Sequence, residues 1–229
     1  MAAYFYETHM HTSPVSRCAK VGVRQSLEFY KRLGYAGVFI TNHFLDGNIN
    51  CDRSLPYHER IEFYFSDYEE GVRIGKEIGL TVFLGVESSY HGTDFLIYGL
   101  DKQWFLTHPE IEGMRKSEML TLMEQEGALI VQAHPFREAS YIDHIRLFPR
   151  HVHATEIYNA CGTAFENAQA AHYAQSYDLI PFAGSDNHVG EGQLRLAGME
   201  AKTPILDEQD FVRRVKNREM TPFHRDLEK

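Results

Sequence analysis

Short apolar runs recur along this chain, and one after another they end in a histidine or a carboxylate. Tyr4-Phe5-Tyr6-Glu7-Thr8 runs into His9-Met10-His11, Gly37-Val38-Phe39-Ile40-Thr41-Asn42 into His43, and Val82-Phe83-Leu84-Gly85-Val86 into Glu87. Ala128-Leu129-Ile130-Val131-Gln132-Ala133 reaches His134, and Ile180-Pro181-Phe182-Ala183-Gly184-Ser185 reaches Asp186-Asn187-His188. Residues 94–100 and 154–158 add two further runs. Such near-continuous apolar stretches are the pattern of parallel strands buried on both faces.

Between the runs the period changes to that of helices. Leu27, Tyr30 and Leu33 are spaced for one helix face before Gly34. Ser66-Asp67-Tyr68-Glu69 reads as a capping box opening a helix that Gly79 ends, and Thr163-Ala164-Phe165-Glu166 as a second, opening a helix to about residue 177. Residues 117–126 before Gly127, and residues 207–218 with Phe211, Val212 and Val215 facing inward, complete the set. Residues 45–65 and 103–116 read as loops over the ligand-bearing face, and residues 190–198 as a mobile loop beyond the last ligands. About seven strands alternating with helices, without linker or repeat, predict one α/β domain over residues 1–229, a barrel of the TIM type. In a closed parallel barrel the carboxyl ends of the strands meet on one face, so these distant histidines and carboxylates converge there.

Composition sharpens this picture at three points. Thirteen histidines in 229 residues is an excess that calls for a reason, and a metal site supplies one. A formal net charge of −9 argues against sequence-independent nucleic-acid binding. Three scattered cysteines, Cys18, Cys51 and Cys161, form no disulfide framework. With no leader pattern and no apolar run near the ~20 residues that span a bilayer, the expectation is a cytoplasmic protein without membrane association.

Taken singly, the pieces have ordinary readings. His9 and His11 share one strand face because side chains alternate with period 2, but His151-Val152-His153 does the same before a strand and reads as structural. His43 alone could be a satisfied core histidine, and Glu87 a salt-bridged carboxylate. His134 precedes Pro135, which predicts extended backbone there.

Taken together, in order, they are more specific. His9-x-His11-Thr12, Thr41-Asn42-His43, Gly85-Val86-Glu87, His134-Pro135-Phe136, Glu156-Ile157-Tyr158-Asn159 and Gly184-Ser185-Asp186-x-His188 resemble the PHP (polymerase and histidinol phosphatase) family of metal-dependent phosphoesterases from about residue 4 to 196. The resemblance implies a distorted seven-stranded β/α barrel with two or three divalent ions (Zn, Mn or Fe) at its carboxyl face. It makes His9, His11, Glu87 and Asp186 the ligands of a first ion, Glu87 and His134 those of a second, and His43 and His188 those of a third. Two positions depart from the family. Asp94 stands where many members have histidine, which shifts the donor set toward oxygen and so toward Mn or Fe. Val15-Ser16-Arg17-Cys18 occupies the place of an Asp or His, making Cys18 a candidate thiolate ligand to the third ion, against the favoured reading of a small buried thiol.

The chemistry implied is hydrolysis of a phosphate ester, on a small metabolite or a nucleotide, by a metal-bridging hydroxide. Glu87, Asp186 and His188 would carry it, with Arg137, Arg195 and Arg17 as candidate clamps for phosphoryl oxygens. The alternatives are a histidinol-phosphate phosphatase, an amidohydrolase-like enzyme, or a metal-binding module without turnover. Amidohydrolases commonly bridge their metals with a lysine at a strand end, and here that place holds Glu87.

Overall fold

A computed structural model describes residues 3–228; residues 1, 2 and 229 lie outside that description. Nine strands form one mixed sheet: β1 (Tyr4–Met10), β2 (Gly37–Ile40), β3 (Thr81–Tyr90), β4 (Thr93–Tyr98), β5 (Leu129–Ala133), β6 (Ala154–Asn159), β7 (Ile180–Gly184), β8 (Arg195–Ala201) and β9 (Thr221–Asp226). Their spatial order is β7-β6-β5-β4-β3-β2-β1-β8-β9. The sheet nearly closes on itself: the His11 N–H donates to the Asn187 carbonyl at 2.9 Å and the Asn187 N–H to the His9 carbonyl at 3.2 Å, bringing the end of β7 against β1.

Six helices surround or plug this sheet: α1 (Val23–Arg32), α2 (Tyr57–Ile78), α3 (Lys102–Thr107), α4 (Lys116–Gln125), α5 (Ala164–Tyr177) and α6 (Glu208–Lys216). The interior below the ligands is aromatic. Phe39, Phe83, Tyr98 and Phe182 are fully buried, and Phe211 of α6 enters among them, its ring 4.3 Å from that of Phe39. At the far end Lys216 donates to the Gly127 carbonyl and Arg218 to the Asp178 carbonyl. Both acceptors lie just before strands, so α6 covers the amino ends of the barrel and leaves the carboxyl ends open for chemistry. None of the helices of the described residues is long and apolar enough to cross a membrane.

Several expectations need correction. The sheet has nine strands where about seven were expected. β4 runs antiparallel to both neighbours, and β8 and β9, joined through α6, form an added antiparallel pair on β1. β8 occupies part of the segment read as a mobile loop; Gly198 is required there because a Cβ would lie 2.0 Å from the Tyr6 carbonyl oxygen. The Ser66–Glu69 capping box does not exist. Both residues sit inside the 22-residue α2, where the Ser66 hydroxyl bonds back to the Phe63 carbonyl, so the loop assigned to residues 45–65 is helix from Tyr57 onward. The segment 103–116 likewise folds into α3, capped by Asp101, and a 3₁₀ turn at Pro109–Gly113. The Thr163–Glu166 capping box is present at the start of α5.

Candidate metal centre

The strand ends deliver the histidines and carboxylates to one place. His9 Nε2 lies 3.1 Å from Glu87 Oε1 and 3.4 Å from Asp186 Oδ1. His11 Nε2 lies 3.4 Å from Glu87 Oε2, 3.3 Å from Asp186 Oδ1 and 3.2 Å from His9 Nε2. His134 Nε2 is 3.5 Å from Glu87 Oε1 and 3.7 Å from Asp94 Oδ2, and His43 Nδ1 is 2.6 Å from Glu87 Oε2. Three overlapping sets of convergent donor atoms result: His9, Glu87 and His134; His9, His11 and Asp186; His11, His43 and His188. Gly184 makes room for this, since a Cβ there would lie 2.5 Å from both the His9 Cβ and Glu156 Oε1.

The surrounding hydrogen bonds decide which nitrogen each histidine presents. His9 Nδ1 is 2.9 Å from Glu156 Oε1, an acceptor-only carboxylate, so the proton sits on Nδ1 and the Nε2 lone pair faces the cluster. The Ser16 hydroxyl donates to Asn42 Oδ1 at 2.9 Å and accepts from the His43 N–H at 3.0 Å; with its only proton committed, it accepts from His11 Nδ1 at 3.2 Å. His188 donates from Nδ1 to the Asp186 carbonyl at 2.8 Å. Three imidazoles thus turn Nε2 rather than Nδ1 toward the cluster. This is the outer-shell orientation that metal-ligating histidines require.

Electrostatics suit a cation among these groups. Burial disfavours the charged form of His9, but Asp186, Glu156 and Glu87 outweigh it and hold its pKa well above the ordinary imidazole range. Burial together with neighbouring His188 and His43 holds His11 well below that range. Burial would raise Glu87 and Asp186, yet the histidines around each keep both well below ordinary carboxylates. Buried Glu87 Oε2, Asp186 Oδ1, His43 Nδ1 and His134 Nε2 have no aligned hydrogen-bond partner, although His43 and Glu87 are 2.6 Å apart. Buried polar atoms normally find partners, so lone pairs aimed at one another mark the place of a shared positive charge. The residues fit divalent ions.

Backbone strain collects at the same residues. His134 has φ +26° and Asp186 φ +54°, both left-handed; the extended backbone expected at His134 is therefore incorrect. The Glu156 carboxylate holds the His134 N–H at 3.0 Å, which stabilises the turn that lifts the ring toward Glu87.

The remaining candidates divide. Cys18 Sγ is 3.2 Å from His43 Nε2; burial raises its pKa, but hydrogen bonds with His188 and His43 outweigh this and bring it to about 6. Asp94 joins through His134, and burial, then Glu87, raises its pKa. Arg137 reaches the cluster, with Nη1 3.5 Å from Asp186 Oδ2. Arg195 does not: it is exposed at the start of β8 opposite Asp226 and makes no ion pair or hydrogen bond with the cluster. Arg17 is exposed beside Cys18. His153 is structural, accepting from the Ile130 N–H at 3.1 Å.

Four residues that position these histidines and carboxylates were not singled out for that role from the sequence. Glu156 orients His9 and His134. Asp67, turned inward from α2, accepts from the Thr12 hydroxyl at 2.7 Å and the Asn42 amide at 3.0 Å, and so anchors the Asn42–Ser16–His11 chain. Glu7, which burial raises to about 7, accepts from the His9 and Ser185 N–H groups and ties β1 to β7. A carboxylate inside an apolar strand was the available signal for Glu7 and Glu156; Ser16 had none. Ser16→Ala is expected to weaken metal affinity about 10–100-fold, the scale of outer-shell loss. It should also cost roughly 1–3 kcal/mol of stability by stranding buried donors. Chelator-competition titration and denaturant melts measure the two effects, and unchanged affinity would contradict the role.

Comparison with known proteins fits this geometry. No family model matches the chain. An uncharacterised protein of Methanocaldococcus jannaschii is 29% identical over 125 residues, covering 49% of this chain and 53% of that protein, so the chain spans about half the length of this curated relative. Among solved structures, a two-domain Bacteroides vulgatus protein containing a predicted PHP-like metal-dependent phosphoesterase superposes with TM-score 0.69 at 14% identity, over 97% of this chain and 65% of that one. PsfC of Pseudomonas syringae gives 0.66 at 17% identity, over 99% and 93% of the two chains. An amidohydrolase of Chromobacterium violaceum, solved with sulfate and no metal, gives 0.58 at 12% identity over 94% and 97%. The chain shares its fold with these structures, among them one containing a predicted PHP-like metal-dependent phosphoesterase, in keeping with the family resemblance of the ordered motifs.

Proposed function

We propose that this chain is a metal-dependent phosphoric ester hydrolase acting on a small phosphorylated metabolite or nucleotide, with residues 1–229 as one functional unit. One observation carries the reading: seven ligand-type side chains from five strand ends bring their donor atoms together in three overlapping sets, and four of them, His43, Glu87, His134 and Asp186, hold buried polar atoms without a hydrogen-bond partner. His9, His11, Glu87 and Asp186 would hold a first ion, Glu87, His134 and Asp94 a second, and His43, His188 and Cys18 a third. Zn, Mn or Fe bound there would supply the charge that polarises a phosphoryl oxygen and makes water nucleophilic at neutral pH.

The protein's own groups do the rest. Glu87, between His9, His11, His43 and His134, is placed to bridge two of the sets. Arg137 lines a 280 Å³ cavity together with His134 and Asp186, where its guanidinium can donate to two phosphoryl oxygens at once. If only the first two sets are filled, His188, beside Cys18, can carry a proton to the leaving oxygen; if the third is filled, its Nε2 is engaged. Three free thiols suit a reducing, cytoplasmic compartment.

Amide or ester hydrolysis is the second reading, favoured by the fold shared with the Chromobacterium amidohydrolase. Against it, Lys116 is not at a strand end between ligands; its ammonium is tied to Asp46 at 2.7 Å and Ser88 at 2.6 Å. Assays of p-nitrophenyl phosphate and p-nitrophenyl acetate under added Mn, Zn or Fe separate the two. Arg137→Met is expected to raise KM for the phosphate ester about 10–100-fold, equivalent to the roughly 1.5–3 kcal/mol of a hydrogen bond to a charged group. Arg195→Met should leave KM unchanged, and equal effects of the two substitutions would contradict the placement of Arg137.

A further inference from the structure

The 280 Å³ cavity that His134, Arg137 and Asp186 line continues past the cluster, and the side chains there bear on which ester group it accepts. Pro135 and Ala170 are buried in its wall. Phe136 stands beside them, half-buried, its ring 6.1 Å from that of Tyr173 on α5. Tyr141 adds a second aromatic ring and is 66% exposed. The segment that carries it is anchored: the Glu138 N–H donates to Glu166 Oε1 at 2.8 Å, and the Ile142 N–H to the Ala139 carbonyl at 2.9 Å. The polar groups of the same wall are turned to one another. Asn159 donates from Nδ2 to Glu156 Oε2 at 2.8 Å and accepts at Oδ1 from the Cys161 N–H at 2.9 Å. Asn167 accepts from the Asn159 N–H at 3.0 Å and donates to the Asn159 carbonyl at 3.2 Å. The two Glu166 oxygens accept from the Glu138 and Thr163 N–H groups.

Every polar atom of these three side chains thus has a protein partner. A hydroxyl-rich group entering the cavity would give up water and gain few hydrogen bonds, whereas an apolar ring gains by leaving water. A dry cavity of about 150 Å³ holds benzene, so 280 Å³ has room for a phosphoryl group and about one ring. Resting on the phosphoesterase reading above, we infer that the substrate is a phosphate ester with a compact apolar or aromatic ester group, held against Phe136 and Tyr141, rather than a sugar phosphate or a nucleotide. In the reaction a water oxygen bonds to phosphorus as the ester P–O bond breaks. One water proton ends on the departing alcohol oxygen and the other is released.

Phenethyl phosphate, α-glycerol phosphate and glucose 6-phosphate, assayed on metal-loaded protein, test this, because each releases a primary alcohol and the chemical step alone favours none of them strongly. The phenethyl ester is expected to have the highest kcat/KM by about tenfold or more. Tyr141→Ser should shrink that preference to within about threefold by raising KM for the phenethyl ester, whereas Tyr141→Phe, which keeps the ring, should retain it. Tyr141 is exposed, so both variants are expected to fold, and metal content and melting temperature check this; the wild-type preference decides the question even if one does not. Equal or reversed preference in wild-type protein, or an unchanged preference in folded Tyr141→Ser, overturns the inference and leaves the phosphoesterase reading intact. So does turnover of p-nitrophenyl phosphate without turnover of the phenethyl ester. Turnover of no phosphate ester by protein that holds metal overturns both.

Discussion

Asp186→Asn is expected to lower kcat/KM for phosphate esters by about 10²–10³-fold or more, the loss that follows removal of a preorganised electrostatic stabiliser. Asp186 Oδ1 sits 3.4 and 3.3 Å from the presented nitrogens of His9 and His11, and Oδ2 lies 3.9 Å from His134 Nε2. Asparagine is the informative replacement because it keeps the shape and tolerates the left-handed backbone at φ +54°, which alanine would strain. The variant should fold, bind fewer ions per chain and be inactive. Full activity would sink the ligand assignment.

The second large effect is on stability, and its sign depends on metal. In metal-free protein His9, His43, His134 and His188 have pKa values above the ordinary range. Their stabilising contribution is complete below the unfolded imidazole value of about 6.5 and is lost as pH rises through the folded values. Glu87 and Asp186 have values below the ordinary range. Theirs is complete above the unfolded carboxylate value of about 4 and is lost as pH falls through the folded ones. These six groups together favour metal-free protein between about pH 4 and 6.5 and weaken it above that, while His11, held below the ordinary range, and Glu7, raised to about 7, pull against them inside that window. Metal reverses the trend, because it competes with protons for the same nitrogens and binds more tightly as pH rises. At a free metal concentration a thousandfold above Kd the gain is about 4 kcal/mol. For a chain of this size that is about 8–16 °C in melting temperature. Melts across pH with metal and with chelator measure both slopes; parallel slopes would contradict a cluster held together by protons or metal.

The strands that end in ligands were legible because burial on both faces leaves little choice but apolar residues, so each polar break stood out. β9 was not legible: Thr221-Pro222-Phe223-His224-Arg225-Asp226 is an edge strand with one wet face and no continuous apolar run. β8 was obscured by Gly190, Gly192 and Gly198, of which Gly198 serves close strand approach rather than flexibility. α2 was cut short because Ser66 and Glu69 have the spacing of a cap, while the information that mattered, Asp67 turned inward to Thr12 and Asn42, is tertiary. Of the site, the ligand types and their convergence could be read from the chain. The tautomers could not, since they depend on Ser16, Asn42 and Glu156 meeting histidines distant in sequence. Arg195 was misjudged because distance along the chain from His188 says nothing about the direction in which β8 leaves the site.

The most direct test of the metal centre is the metal content per chain by elemental analysis, on protein reconstituted with Mn, Zn or Fe and then freed of unbound ions. Two or three ions per wild-type chain, with fewer in Asp186→Asn, is the result this account predicts. Wild-type protein that retains none would contradict it.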